Sequence, residues 1–352
     1  MPLIHPKVDR RVLLAALTTL LVLLAGACSA DRASAFEVGV QDNPVFVFNN
    51  YVSRDTALSK AKAFNARSAR LEMYWGDYVR YGFAPYDAAV NAALSRGIRP
   101  QISVTGTPQY DPQGDQRVSW SNPNVQAYAN FLTQVTQHFK GRVKRYSIWN
   151  EPNQCYFLSG SICSYSNSAV KQRQAIYRNL YIAGAAAIKA VDRTAQVLFG
   201  ELAPINDPLG FLTAVTKRGG IRADGLAHHP YQIAPKGRRV TGVSATPAIK
   251  RMLRSLARSR KFRTYSGGIV PIYYTEFAVI KGYGGIRSEA QRASRTISDF
   301  KYMKKQGVKQ IIWYHLVIYP STVRDAFPSG ILQTNGTALP TYNALVKARR
   351  SW

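Results

Sequence analysis

Two glutamates, Glu151 and Glu276, each follow an apolar, β-rich run of residues. Glu151 stands in the segment Trp-Asn-Glu-Pro-Asn at positions 149–153, and Glu276 ends the run that begins at Ile272. Two carboxylates that face one another can cleave a glycosidic bond, one as acid and base and the other as nucleophile. Such chemistry requires a rigid frame that holds both side chains at one end of a fold.

The pattern of secondary structure predicts that frame. Short β-rich runs alternate with helical patterns from residue 36 onward, in eight cycles. The predicted strands are Val38–Gln41, Ala69–Tyr74, Pro100–Val104, Val143–Trp149, Gln196–Gly200, Gly225–His229, Val270–Thr275 and Gln310–His315. Eight cycles in residues 36–352 predict a single (β/α)8 barrel, an α/β fold whose active site lies where the strands end. A doubly wound open sheet is the alternative, but no glycine-rich phosphate fingerprint follows the first strand.

The helices between the strands have readable ends. Asn122 and Pro123 predict the N-cap and first turn of a helix, because their side chains suit those two positions. Gly141 ends that helix, and Gly97 and Gly307 end two others in the same way.

The composition is that of a globular protein with an unusual charge. The 352 residues are 46% hydrophobic and 19% charged, which excludes disorder, collagen and coiled coil. Lys and Arg number 47 against 19 Asp and Glu, a net charge of +28. Residues 225–275 contain ten of these cations and no acid, with a cluster from Lys250 to Arg263. No nucleic-acid-binding module surrounds them, so a solvated face or a surface for an anionic cell-envelope polymer is expected instead of a nucleic-acid site.

The N-terminus predicts export. Basic residues precede the apolar run Val12–Ala27, and Ala33-Ser34-Ala35 has the small-x-small pattern that a signal peptidase accepts. Residues 1–35 are therefore predicted to be a signal peptide, with a secreted or extracytoplasmic mature chain starting at Phe36. Lipidation of Cys28, which would anchor a lipoprotein, is the alternative. The apolar run is shorter than the roughly 20 residues that span a bilayer.

Two cysteines remain after this leader, Cys155 and Cys163. In an oxidising compartment they are predicted to form a disulfide that shapes a local loop, with two free thiols as the alternative. Zinc is disfavoured because no histidine lies near them in the sequence.

The sequence around the two glutamates resembles clan A of the glycoside hydrolases. The resemblance is closest to the branch of β-xylosidases and α-L-iduronidases, with the cellulase and mannanase family as a cousin, and it extends from about Val38 to Ala348. The segment at 149–153 resembles the acid/base motif of the clan, and Thr275-Glu276-Phe277 its nucleophile strand. The resemblance implies a retaining hydrolase with catalytic Glu151 and Glu276, an oligo- or polysaccharide substrate, and no metal or organic cofactor.

Five further positions resemble substrate-binding residues of the clan. Arg70 matches an arginine that favours the ionised nucleophile, and Asn150 matches a residue that binds the sugar 2-hydroxyl. His229 and Tyr231 match a His-x-Tyr motif in which the tyrosine hydroxyl steadies the nucleophile. Trp313 matches an aromatic platform beneath the sugar ring.

Three further points concern the sugar, a metal and an alternative function. The loops that follow the two glutamates depart from the family pattern, so the resemblance does not determine the sugar or its linkage. His228 and His229 are adjacent, and neighbouring strand residues point to opposite faces, which argues against a metal pair. A barrel that has lost turnover and serves as a carbohydrate-binding or cell-envelope module is the alternative function.

Overall fold

The computed structural model describes residues 36–109, 120–159, 163–232, 241–320 and 327–352. Eight parallel strands form a closed barrel, in which neighbours in the chain are neighbours in space and the last strand pairs with the first. The strands are β1 (Glu37–Gln41), β2 (Ser68–Tyr74), β3 (Arg99–Thr105), β4 (Arg145–Ile148), β5 (Gln196–Leu202), β6 (Gly225–His228), β7 (Ile272–Phe277) and β8 (Gln310–Tyr314). The predicted (β/α)8 barrel is thus confirmed, with strand bounds within two residues of those expected.

Helices surround the barrel. The described α-helices are α1 (Asn43–Phe46), α2 (Arg54–Ala63), α3 (Trp75–Tyr81), α4 (Ala84–Ser95), α5 (Val125–Phe139), α6 (Asn167–Val191), α7 (Pro208–Thr216), α8 (Thr246–Arg258), α9 (Glu289–Lys305) and α10 (Pro340–Ala348). Their apolar faces pack on the strands; in α5 the expected stripe of Tyr128, Leu132, Val135 and Phe139 is buried. Within the described ranges, none of these helices combines the length and apolarity needed to cross a membrane.

One predicted helix start is wrong by two residues. The N-cap of α5 is Asn124, whose side chain accepts a hydrogen bond from the Ala127 backbone N–H at 2.9 Å. Asn122 has a φ of 45° and lies outside the helix. The Asn-Pro pair marks the turn before the helix, because Asn tolerates this left-handed backbone conformation.

Candidate active site

The barrel brings Glu151 and Glu276 together at the carboxyl ends of its strands. Glu276 lies within β7, and Glu151 comes three residues after β4 ends at Ile148. Oxygen atoms of the two carboxylates lie within 4.8 Å of one another. Glu276 is buried, whereas Glu151 is partly exposed. The two sequence-predicted glutamates therefore share one site.

The backbone at this site adopts conformations that side chains other than glycine rarely take. Trp149, Glu151 and Glu201 have φ values of 70°, 40° and 47°. Surrounding hydrogen bonds hold them there: the Trp149 N–H donates to the Val104 carbonyl, and the Glu151 N–H donates to the Glu201 carbonyl, both at 2.9 Å. Strain of this kind persists only where neighbours over-determine the geometry, and it concentrates at functional sites.

A bulge in β5 directs Glu201 into the same cluster. The pairing of β5 with β6 shifts between Phe199 and Leu202. Gly200 within the bulge has a φ of 115°, and a Cβ there would lie 2.6 Å from the Ala227 carbonyl oxygen. Only glycine suits this position, and the bulge re-aims the side chain that follows it.

The buried side chain of Arg70 donates hydrogen bonds to three polar side chains of the site. Its guanidinium donates to Glu276 at 2.8 Å, and to Glu201 and Asn150 at 3.2 Å each. Burial alone would lower the pKa of Arg70, but Glu201 and Glu276 raise it above its ordinary value. Arg70 is therefore a fixed positive charge between two carboxylates.

His229 lies between the acid/base candidate and Glu201. Its Nδ1 lies 2.8 Å from Glu151 Oε1, and its Nε2 lies 2.7 Å from Glu201 Oε2. Burial alone would lower the pKa of His229, but Glu276, Glu151 and Glu201 raise it to about 10. Both ring nitrogens thus carry protons and donate to carboxylates. Glu151, His229 and Glu276 are close enough to surround a metal ion, but the protonated imidazole offers such an ion no lone pair.

Burial and neighbouring charges shift the pKa of Glu276 in opposite directions. The Tyr231 hydroxyl donates to its Oε2 at 3.0 Å, opposite the contact from Arg70. Burial raises the pKa of Glu276 above its ordinary value, and Glu151 adds to this, although His229 and Arg70 lower it. The predicted contacts with Arg70 and Tyr231 are present, yet burial outweighs the lowering that Arg70 alone would cause.

A cavity of about 410 Å³ opens above the two glutamates. Asn150 and Tyr231 line it, as expected of substrate-binding residues. The full described lining is Glu72, Tyr74, Asn150, Glu151, Phe157, Ala203, Pro204, Ile205, Tyr231, Glu276, Tyr283, Tyr314 and Phe327. Most of this surface is aromatic or aliphatic with a few convergent polar groups, which is typical of a small-molecule site.

Three predicted substrate-binding residues do not line this cavity. Arg70 and His229 are fully buried behind the carboxylates and contact those groups. Trp313 is also fully buried, packs against Phe277, and donates from its indole to the His315 carbonyl. Alternate residues of a strand point to opposite faces, so Tyr314 reaches the cavity and Trp313 faces the helices.

The disulfide between Cys155 and Cys163 is present, as predicted. It joins the segment after Glu151 to the approach to α6. Within that segment the Phe157 ring lines the cavity, and the Phe157 carbonyl accepts a hydrogen bond from the Trp149 indole at 2.6 Å. The disulfide therefore constrains a segment that shapes the cavity wall.

Sequence reasoning missed two carboxylates of the site, Glu72 and Glu201. The predicted strand Gln196–Gly200 ends one residue before Glu201, and Glu72 lies inside the predicted strand Ala69–Tyr74. A signal existed for both: each is an acidic residue within or next to an otherwise apolar strand segment. Buried carboxylates require partners, so such residues point to a polar site.

Solved structures with a similar fold include several glycoside hydrolases. A family 39 glycoside hydrolase from Bacteroides cellulosilyticus WH2 aligns with a TM-score of 0.66 and 16% identity over 90% of this chain and 64% of its own. A family 39 β-xylosidase from Caulobacter crescentus gives 0.65 and 18% over 91% and 72%. A broad-specificity GH5-4 endoglucanase from Clostridium longisporum gives 0.61 and 13% over 91% and 97%. The chain has the fold of these enzymes. No known family profile matches its sequence.

The polar cluster predicts a stability effect at Glu201. Burial alone would raise the pKa of Glu201, but Arg70 and His229 lower it to about 2. Its stabilising contribution is therefore present above its ordinary pKa of 4.5 and is lost as the pH falls towards 2. We expect Glu201→Gln to lower the free energy of unfolding at pH 7 by about 3 kcal/mol, because it leaves two buried cations without their shared partner.

Urea unfolding at pH 7 measures this loss. Asp55→Asn is the matched control, since Asp55 pairs with Arg96 at 3.1 Å but its side chain is 71% exposed. An exposed pair contributes about 0–1 kcal/mol. Equal losses in the two variants would contradict the role of Glu201 in the cluster.

Proposed function

We propose that the protein is a retaining glycoside hydrolase that cleaves O-glycosidic bonds in oligo- or polysaccharides. The observation that carries this proposal is the pair Glu151 and Glu276, with oxygens within 4.8 Å at the bottom of a sugar-sized cavity. Retaining enzymes place their carboxyl groups about 5–5.5 Å apart, whereas inverting enzymes leave about 6.5–9.5 Å for a water molecule. A distance of 4.8 Å or less between the nearest oxygens agrees with the shorter of these carboxyl spacings and supports direct attack by Glu276.

The proposed mechanism follows from the different environments of Glu151 and Glu276. Glu151 is partly exposed to the cavity and protonates the oxygen of the leaving group, while a Glu276 oxygen attacks the anomeric carbon. The glycosidic bond breaks and an ester forms between the sugar and Glu276. Glu151 then accepts a proton from water, whose oxygen attacks the same carbon and releases Glu276.

The charges of the cluster support this division of roles. The carboxylates of Glu72, Glu151, Glu201 and Glu276 outnumber the cations, Arg70 and protonated His229. A buried cluster with excess negative charge retains a proton. Arg70 acts against the increase that burial causes in the pKa of Glu276, and the Tyr231 hydroxyl donates to the same carboxylate, so both contacts favour the ionised form that attacks the sugar.

A screen of aryl glycosides and of plant and microbial polysaccharides tests the proposal. Release of a reducing sugar or of the aryl group from at least one of them supports hydrolysis, and xyloside- or arabinoside-like substrates and internal cleavage of glycans are included. Binding without any release supports the alternative of an inactive carbohydrate-binding or cell-envelope module.

Export is part of the proposal. The predicted signal peptide and Cys28 lie outside the described residues. The Cys155–Cys163 disulfide supports an extracytoplasmic location, because such bonds persist in oxidising compartments. We propose a secreted enzyme, with a lipoprotein anchored through Cys28 as the alternative.

A basic helix supports the proposed anionic cell-envelope partner. Arg251, Arg254 and Arg258 are exposed on α8 and, at this spacing, share one side of the helix. No carboxylate of the described residues forms an ion pair with them. Such a surface attracts anionic polymers through charge.

Neutralising the cations of this surface is predicted to weaken the binding of the protein to an anionic polymer. We expect Gln at Arg254 and Arg258 on α8 and at Lys261, three residues beyond its end, to weaken binding to an acidic polysaccharide by at least about tenfold at low salt, because each charge contributes about 1 kcal/mol at close range in water. Wild-type binding falls as the ionic strength rises through the screening range. Affinity chromatography on the immobilised polymer measures both effects.

The control carries the same change of charge elsewhere. Lys171→Gln, Arg193→Gln and Lys217→Gln replace three exposed cations outside α8. Hydrolysis of a small neutral glycoside is expected to be unchanged in both triple variants. If the wild type and the triple variant at Arg254, Arg258 and Lys261 are retained equally, these cations form an ordinary solvated surface and do not bind the polymer.

A further inference from the structure

A buried arginine on α9 joins the two chain segments that follow β7 and β8. Arg292 is 2% exposed. Its Nε donates to the Val279 carbonyl at 2.8 Å, its Nη1 donates to the Gly330 carbonyl at 2.8 Å, and its Nη2 donates to the Ser329 carbonyl. A guanidinium holds its donors in a rigid planar fork, so these bonds fix the two segments relative to one another.

Each of these segments also carries a residue of the candidate active site. Val279 is buried and comes three residues after Glu276. Ser329 comes two residues after Phe327, which lines the cavity. The backbone N–H and the hydroxyl of Ser329 both donate to the Phe327 carbonyl, at 2.6 and 3.3 Å. Arg292 therefore ties the chain just beyond β7 to one wall of the cavity.

The Phe327 ring extends this series of contacts to the nucleophile candidate. Its centroid lies 5.1 Å from that of the Tyr231 ring, and the two planes are inclined at 61°. The Tyr231 hydroxyl donates to Glu276 at 3.0 Å. Two rings packed edge to face restrict each other's orientation. The position of Phe327 thus bears on the hydroxyl that contacts Glu276.

The chain beyond Gly330 is anchored by the backbone. Gly330 packs so closely that a Cβ there would lie 2.4 Å from the Ile318 backbone nitrogen. The N–H groups of Ile331 and Leu332 both donate to the Leu316 carbonyl at 2.8 Å. Arg292 continues this anchoring towards the cavity, because it holds the carbonyls that come just before Ile331. Close packing transmits a displacement of such a segment to its neighbours.

We infer that Arg292 is a positioning residue of the active site, which holds Phe327 against Tyr231 and thereby keeps the Tyr231 hydroxyl on Glu276. The inference rests on the proposed function, because it describes how the nucleophile of that reaction is kept in place. A buried cation needs acceptors, and carbonyls of two separate segments supply them here.

Arg292→Lys is the first test, because it keeps the buried charge and removes the fork. An ammonium is a compact point charge that cannot reproduce the three directed bonds, so Phe327 is expected to shift and the Tyr231 hydroxyl to leave Glu276 for part of the time. The pKa of Glu276 is then expected to rise, since a hydrogen bond to the ionised form favours that form. The acidic limb of the pH profile of kcat/KM is expected to move up by at least about half a pH unit. A fall of about threefold or more in kcat is expected from the misplaced groups.

Arg178 provides a matched control in α6. Its guanidinium also donates to backbone carbonyls, those of Val215 and Gly219, at 2.8 Å each. Neither carbonyl belongs to the described lining of the cavity. Arg178→Lys is expected to lower the free energy of unfolding in urea, as Arg292→Lys does, and to leave the pH profile unchanged. Equal pH profiles in the two variants would reduce Arg292 to a structural role and overturn the inference.

Phe327→Leu tests the intermediate contact and does not depend on the folding of an Arg292 variant. Leucine lacks the ring that packs against Tyr231, so the same upward movement of the acidic limb is expected. In a double-mutant cycle, the effects of Arg292→Lys and Phe327→Leu on the pH profile are expected to be less than additive, because both act through one contact. Full additivity, or a Phe327→Leu profile like that of the wild type, would contradict the route through Phe327.

A titration without turnover separates this inference from the hydrolase proposal. The chain has six glutamates, so carbon-13 at their carboxyl carbons gives six NMR signals, and the signal lost in Glu276→Gln identifies Glu276. Arg292→Lys is expected to raise the measured pKa of Glu276, and Arg178→Lys to leave it unchanged. Four other groups that face Glu276 are the same in both variants: Arg70, His229, Glu151 and Glu201.

The two proposals then fail in different ways. A raised pKa of Glu276 in Arg292→Lys, in a protein that cleaves no glycoside, would support the positioning role and refute the hydrolase proposal. An unchanged pKa of Glu276 in a folded Arg292→Lys protein would overturn the positioning role, whether or not glycosides are cleaved.

Discussion

Glu276→Ala is expected to abolish turnover of every glycoside that the wild type cleaves, with a loss of at least about 10⁴-fold in kcat. The variant has no oxygen to attack the anomeric carbon, so the ester with the sugar cannot form. It also leaves Arg70 without the carboxylate that it contacts at 2.8 Å. Initial rates with the best aryl glycoside measure the loss.

Folding must be checked in the same variant, because a buried contact is removed. Glu276→Gln keeps the size of the side chain, and it is expected to lose as much activity as Glu276→Ala while perturbing the packing less. Circular dichroism and urea unfolding report whether the barrel is intact. Full activity in a folded Glu276→Ala protein would exclude this site as the catalytic centre.

Glu151→Ala is expected to affect substrates according to their leaving groups. A glycoside with a poor leaving group requires a proton from Glu151, so its kcat/KM is expected to fall about 10²–10⁴-fold. The dinitrophenolate of a dinitrophenyl glycoside leaves without that proton, so the glycosylation step of this substrate is expected to be nearly unchanged. The second step then limits the rate, because no base activates water.

Added azide distinguishes this role from a general loss of structure. Azide attacks the glycosyl-enzyme without base assistance, so it is expected to accelerate Glu151→Ala turnover of the dinitrophenyl glycoside and to yield a glycosyl azide. The wild type, which has its base, is expected to respond little. Equal losses on good and poor leaving groups, with no response to azide, would contradict the assignment of Glu151.

Much of the fold could be predicted from the sequence because the signals are local. Apolar β-rich runs alternate with helical patterns in eight cycles, three of the helices are followed by a glycine, and each strand of the barrel lies beside its neighbours in the chain. Glu151 and Glu276 could be proposed from their positions at the ends of predicted strands. Their short separation was expected from the closed barrel, since strands four and seven face each other across its mouth.

The parts that escaped prediction depend on long-range geometry. Glu201 enters the cluster through a bulge that arises where β5 pairs with β6, and within β5 only Gly200 marks its position. Trp313 faces the helices because neighbouring residues of β8 point to opposite faces and Tyr314 takes the face that lines the cavity. An error of one residue in the phase of a strand moves a side chain from one face to the other.

The assignment of Arg70 and His229 shows a different limit. Their residue types matched polar groups of a sugar site, and the structure does place both in the polar cluster. Burial decides what they can touch, and both are enclosed behind carboxylates. The resemblance implies that Arg70 acts on the nucleophile, whereas the burial of both residues is a property of the folded barrel that the sequence pattern does not show.

The anomeric configuration of the first-formed product tests the central proposal most directly. NMR spectra recorded during the first minutes of hydrolysis of an aryl glycoside show the configuration before mutarotation. We predict that the first product retains the anomeric configuration of the substrate, because Glu276 attacks first and water replaces it from the same side in the second step. A first product of inverted configuration would contradict the assignment of Glu276 as nucleophile.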